Sequence, residues 1–261
     1  MNKLSLALIF GAAVGTLSAG AQTPAVQLKA SNYNPTSGLW IDSSGNGDNA
    51  TFTLVNIYGT ATGPIPGLVA GVTPTGSPAV DLTGTGSMLL NTPIGYSSGY
   101  TVFAFVEPAT GTGRNALTGG TSPNALEYDI YNGPQDYLQE YTADVGHGVA
   151  TISTSSFSLI DLAVNSSGAS FDLNGVSDGS VAGATFGSPI TRIGNNEGGG
   201  DGFAGDIAEI DIFTGVLTPA QIGNEEAALT AEYVTTVPEP STWAMLAGGS
   251  ALMAFRRFRR A

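Results

Sequence analysis

Ile207-Ala208-Glu209-Ile210-Asp211-Ile212-Phe213 alternates strictly, with isoleucines on one face and polar groups on the other, the two-residue period of a strand covered on one side. Ile190-Thr191-Arg192-Ile193-Gly194 repeats the pattern in shorter form. Tyr100-Thr101-Val102-Phe103-Ala104-Phe105-Val106 is instead almost continuously apolar, β-branched or aromatic, which predicts a strand in the middle of a sandwich. Leu159 to Val164 is a second run of this kind, and Ala169 to Gly175 alternates towards Asn174-Gly175, a hairpin signal. Short strands with turn residues between them and almost no helix predict an all-β fold of two packed antiparallel sheets.

One helix is expected, from about Pro219 to Tyr233. Thr218 stands at its N-cap, Pro219 at the first helical position and Gln221 at the third, while Leu217 and Ile222 have the spacing of a hydrophobic staple. Ile222, Leu229 and Tyr233 are predicted to face the sandwich, with Glu225 and Glu226 facing water.

Composition narrows the function. Among 261 residues, Gly 37 and Pro 14 make about a fifth of the chain, which excludes a coiled coil. The absence of cysteine excludes disulfide scaffolds, thiolate metal sites and cysteine nucleophiles. A formal net charge of −13 repels polyphosphates and argues against nucleic acid as a partner.

Both ends read as addresses. Residues 1–21 carry Lys3, an apolar run from Leu4 to Leu17 and Ala19-Gly20-Ala21, the three parts of a signal peptide cut by signal peptidase before Gln22. At the other end, Pro238-Glu239-Pro240 precedes an apolar run from Ser241 to Phe255 and then Arg256, Arg257, Arg259 and Arg260. Such a run is about 22 Å long as a helix, short of a hydrocarbon core of about 30 Å. The arginines act as a stop on the cytoplasmic side, which leaves the bulk of the chain exported. Residues 237–261 therefore resemble the PEP-CTERM sorting signal of Gram-negative bacteria. That resemblance implies recognition by an exosortase, transient insertion in the inner membrane through the tail, and delivery to the cell surface or the extracellular space, often beside exopolysaccharide. The portion between, 22–236, keeps only Lys29, Arg114 and Arg192 as basic side chains against twenty acidic ones.

Within 22–236, Leu39-Trp40-Ile41-Asp42-Ser43-Ser44-Gly45-Asn46-Gly47-Asp48 opens a series of segments. The strand at 100–107, the turn at 169–175 and Arg192-Ile193-Gly194 continue it, and Phe203-Ala204-Gly205-Asp206-Ile207 and Leu217-Thr218-Pro219-Ala220-Gln221-Ile222 close it. In this order they resemble a laminin-G or concanavalin A-like domain of the lectin/glucanase superfamily, which implies that the two antiparallel sheets form a jelly-roll sandwich. Residues 56–98, rich in Gly, Pro and Thr, fit no motif.

The enzymes of that superfamily suggest a retaining β-glucanase, whose active strand reads Glu-x-Asp-x-Glu. Here Glu209 and Asp211 match, but Phe213 stands where the acid/base should be, and retaining hydrolysis needs a pair of carboxyl groups about 5–5.5 Å apart. On this reading Glu209 and Asp211 face solvent or a cation. The single histidine, His147, lies between glycines and has no nucleophile elbow to serve, so no catalytic residue is assigned.

Asp42, Asn46 and Asp48 in a Gly-punctuated loop offer hard oxygen donors suited to Ca²⁺, although the spacing departs from an EF-hand loop. The resemblance implies calcium where the opening loop meets the closing strand, which adds Asp206 and Glu209. Glu197 and Asp201 form a second acidic pair. Tyr128, Tyr131, Tyr137 and Tyr141, interleaved with acidic residues, are the candidates for stacking on sugar rings. The expectation is an exported, non-catalytic polysaccharide-binding protein. A purely structural envelope or biofilm protein and a glucanase-like hydrolase are the alternatives.

Overall fold

The computed structural model describes residues 22–54, 64–95, 98–109, 114–120, 126–131, 135–140, 143–183, 189–195 and 202–235. The signal-peptide segment, the sorting residues Pro238 to Arg260, and Glu197, Asp201 and Tyr141 lie outside them. No helix of the described residues is long and apolar enough to cross a membrane.

Among the described residues, sixteen strands precede one helix. They are β1 (Val26–Asn34), β2 (Leu39–Asp42), β3 (Ala50–Thr53), β4 (Gly67–Val69), β5 (Ala79–Thr83), β6 (Ser87–Ile94), β7 (Tyr100–Pro108) and β8 (Arg114–Gly119), followed by β9 (Leu126–Tyr131), β10 (Gln135–Glu140), β11 (Ala143–His147), β12 (Ser158–Asn165), β13 (Gly168–Leu173), β14 (Val176–Ala182), β15 (Ile190–Ile193) and β16 (Ala204–Thr214). Helix α1 is Pro219–Tyr233. Hydrogen bonds link the strands in the order β11-β10-β9-β8-β15-β6-β3-β2-β1-β16-β7-β12-β13-β14, with β5 and then β4 added beside β16.

The path folds back on itself at β1. Val26 to Lys29 pair with β16, the register shifts between Leu28 and Tyr33, and Tyr33 and Asn34 pair with β2. A bulge of this kind bends a strand and lets it serve two sheets. The far ends meet at Asp178, whose carbonyl accepts from Val149 N at 2.9 Å and whose carboxylate accepts from Ala150 N at 2.7 Å. The result is the expected sandwich. Val102, Ala104, Ile160, Ile207 and Ile210 of one layer share a core with Met88, Leu117, Tyr128 and Ile193 of the other.

Alternation places Ile210 and Ile212 in that core, and Ile207, three positions before Ile210, joins them through a bulge, since the register of β16 against β7 shifts between Ile207 and Glu209. The polar face of β16 is not left to solvent, because α1 lies across it. Leu229 and Tyr233 are buried against Phe103, Phe105, Leu159 and Phe213, with Ile222 packed at the edge. Phe105 stacks between Phe157 and Tyr233, at ring separations of 5.2 and 5.1 Å. This second apolar layer explains why β7 is buried on both faces. The helix begins where its start signals place it, with the reciprocal bonds of a capping box between Thr218 and Gln221. The Asn-Gly turn also forms: Asn174 at φ 53° and Gly175 at φ 75° are the two left-handed residues that a tight hairpin requires.

Candidate functional site

Three neighbouring strands bring three carboxylates into one row. Asp206 on β16 stands opposite Asp81 on β5 and opposite Glu107 on β7. Val80, Ile207 and Val106, one position away on each strand, point into the core, so all three carboxylates point out of the sandwich. They border a cavity of about 420 Å³, with Thr83, Thr154, Val69 and Pro108 also in its wall. Gly205, at φ 138°, lines the same cavity; a Cβ there would collide with the carbonyl oxygen of Glu107.

Burial, and then the charges of Asp81 and Glu107, push the Asp206 carboxyl up to about 6. Its Oδ1 is buried and has no hydrogen-bond partner. The trio therefore presents one carboxyl that protonates near neutral pH between two acceptors, a set that can both donate to and accept from the hydroxyls of a ligand. Glu107 ends the strand read at 100–107 but was given no role there, and Asp81 lay outside every motif read from the sequence. Asp81 belongs to the stretch that fitted none, and only pairing between distant strands brings it to Asp206.

The opening loop is organised around Asp42. Its Oδ1 accepts from the backbone N–H groups of Gln27 and Ser44, and its Oδ2 from Ser44 Oγ and from the N–H groups of Gly47 and Asp48. Burial acts to raise the Asp42 carboxyl, but these donations outweigh it and hold the group below the usual carboxylate range. Five donors thus converge on this one carboxylate. Asn46 turns its amide nitrogen to the carbonyls of Pro24 and Ala25, at 3.1 and 3.0 Å. Asp206 and Glu209 do not complete a shell with this loop: Asp206 sits in the cavity row, and Glu209 is engaged beneath the helix.

The carboxylates of the alternating strand were expected to face solvent, and they do not. Glu209 is 1% exposed and Asp211 0%. Glu209 accepts from Gln27 Nε2 at 2.9 Å and from the Tyr233 hydroxyl at 2.6 Å, with Lys29 Nζ at 3.5 Å. Burial, reinforced by the charges of Glu209 and Glu225, drives Asp211 well above the carboxylate range. Glu225 and Glu226, predicted to face water, are half-buried and turn towards Asp211 and Asp161. A glucanase active strand at 209–213 is ruled out on access: α1 covers it.

Tyr128 is a further correction. It is 0% exposed and belongs to the shared core, so it has no face for a sugar. Tyr131 and Tyr137 stand on the adjacent strands β9 and β10, where Tyr137 is opposite Asp129 and Tyr131 opposite Gln135. His147 ends β11 as an exposed residue, its Nδ1 2.7 Å from the Gly148 carbonyl oxygen.

The fold has known counterparts. Domain 4 of AbnA, a GH43 extracellular arabinanase from Geobacillus stearothermophilus, solved in complex with arabinotriose, superposes with a TM-score of 0.61 at 20% identity, over 77% of this chain and 97% of that one. The binding domain of Paraclostridial Mosquitocidal Protein 1 gives 0.55 at 15% identity, over 79% of this chain and 52% of that one. Trypanosoma rangeli sialidase gives 0.55 at 13% identity, over 82% of this chain but only 34% of the other. At these identities the likeness is one of fold. No curated protein matches the chain. Residues 236–260 match the PEP-CTERM protein-sorting motif, which indicates an exported protein with a C-terminal sorting tail. Residues 82–223 match the laminin G sequence model, and the chain accordingly belongs to the concanavalin A-like lectin/glucanases superfamily.

Proposed function

We propose that this is an exosortase-sorted cell-surface or extracellular protein whose sandwich binds polysaccharide, without cleaving it, in the cavity bordered by Asp81, Glu107 and Asp206. The observation that carries the reading is the buried, unpartnered Oδ1 of Asp206 in a row of carboxylates at an open cavity. Leaving such an atom without a partner costs about 1–3 kcal/mol, which a ligand hydroxyl recovers. Apolar surface beside the row suits the C–H faces of a sugar ring. A domain of the same fold has been solved with arabinotriose, in keeping with a glycan as the ligand class. The sorting motif supports the setting, with exosortase as the processing partner.

The same row favours a second reading. Side chains directly opposite on antiparallel strands lie about 4.5–5.5 Å apart, close to the carboxyl separation of a retaining glycosidase. Asp206 would then be the proton donor, with Asp81 or Glu107 as nucleophile. Glycan-array binding of the full chain and of Asp206→Asn, followed by a reducing-end assay on each glycan bound, separates the readings. Binding that is weakened in the variant, with no new reducing ends, supports the first. Cleavage lost in Asp206→Asn supports the second, and no binding to any glycan leaves a purely structural protein.

A further inference from the structure

A separate group of carboxylates lies where α1 crosses the β12–β13 hairpin. Asp161 on β12 stands opposite Asp172 on β13, and Glu226 reaches them from the helix. One carboxylate oxygen from each comes within 4.8 Å of the others. Asp161 is 1% exposed, and neither of its carboxylate oxygens has a hydrogen-bond partner. Two oxygens on opposite sides of a calcium ion are about 4.6–5.2 Å apart, so the three atoms fit around one ion.

Among the described residues, no basic side chain serves this group. Lys29 is held by Glu232 at 2.7 Å and Glu209 at 3.5 Å, while Arg114 and Arg192 belong to β8 and β15, strands of the other layer. Burial together with the charges of Asp172 and Glu226 pushes the Asp161 carboxyl up to about 9. Ionised in this position, the Asp161 carboxylate would need a compensating positive charge, which the described basic side chains do not supply.

We infer that Asp161, Asp172 and Glu226 form a binding site for a divalent cation that clamps α1 onto the β12–β13 hairpin. Three hard oxygen donors without histidine or cysteine select calcium over zinc. Asp172 and Glu226 are half-buried, so water completes the shell from the helix side. With three carboxylates, affinity falls on the order of 0.1–1 mM, the range of extracellular calcium modules. This inference does not depend on the sugar-binding reading, since the cavity row is a different set of residues.

The test is equilibrium dialysis of the full chain in mild detergent against radiolabelled calcium at pH 7, paired with thermal unfolding in calcium and in chelator. The wild type should bind calcium in this range and unfold roughly 3–8 °C higher in 10 mM calcium. Asp161→Asn should lose one bound equivalent and the thermal rise, and Asp206→Asn should keep both. If Asp161→Asn does not fold, Glu226→Gln, at the rim, decides: affinity at least tenfold weaker supports the site. Undiminished binding in Glu226→Gln overturns the inference. So does a wild type that binds no calcium and keeps a protonated-carboxyl infrared band at pH 7 in its presence, because a shared proton then occupies the place of the ion.

Discussion

The hydroxyl of Tyr233 donates to Glu209 Oε2 at 2.6 Å, tying the last residue of the helix to the closing strand. The tyrosine ring stacks on Phe105 at 5.1 Å, so its apolar and polar ends hold the helix in different ways. Tyr233→Phe keeps the ring and removes only the donor. Glu209 then remains buried with Gln27 and Lys29, and the variant should lose about 1–3 kcal/mol. Urea unfolding of both proteins, read as a shift in midpoint at unchanged slope, checks this.

Asp42 should behave as a structural acceptor. Asp42→Ala leaves the N–H groups of Gln27, Ser44, Gly47 and Asp48 without their common acceptor, a loss on the order of 3 kcal/mol. The loss should be the same in calcium and in chelator. Equal thermal shifts in both buffers bear out the hydrogen-bonding role; a loss confined to calcium would assign the loop an ion.

Asp206 makes stability depend on pH in a defined direction. Its carboxyl is raised to about 6 in the folded protein, against about 4 unfolded, so the folded state holds the proton more tightly. The resulting stabilisation is complete below about pH 4 and is lost as pH rises through about 6. Asp206→Asn should flatten this part of the profile. Because the group is half-exposed, the change in unfolding temperature between pH 4 and 7 should be small, about 2 °C. Calorimetry of both proteins across that range measures it, and a steeper fall in the variant would contradict the assignment.

Gly205 sets how closely β16 and β7 approach beside the cavity. In Gly205→Ala the new Cβ meets the Glu107 carbonyl and the backbone of Ala109 at a φ that alanine rarely adopts. The cost should be about 2–3 kcal/mol. Glycan binding should fall with it, because Asp206 and Glu107 lose their register; array binding at a temperature where the variant is folded checks this second effect.

Legibility followed the range of the interactions. Tyr100–Val106, Leu159–Val164 and the Asn174-Gly175 turn were readable because burial and turn geometry act on adjacent residues. The start of α1 was readable for the same reason, since a capping box spans four positions. The polar face of β16 misled. Alternation says which residues share a face, not what covers it, and the cover here is a helix whose own Glu225 and Glu226 face inward. Asp81 carried no signal at all and Glu107 only that of its strand, because nothing near either in sequence marks it as a neighbour of Asp206.

Local periodicity, turn chemistry and the composition of the two ends thus determined the strand class, the helix and the address, all properties of contiguous residues. The tertiary structure alone decided which carboxylates meet, which are buried and which border a cavity. Those outcomes depend on the register between strands distant in the chain and on where the helix comes to rest, and hydrophobic burial drives both without writing a local pattern.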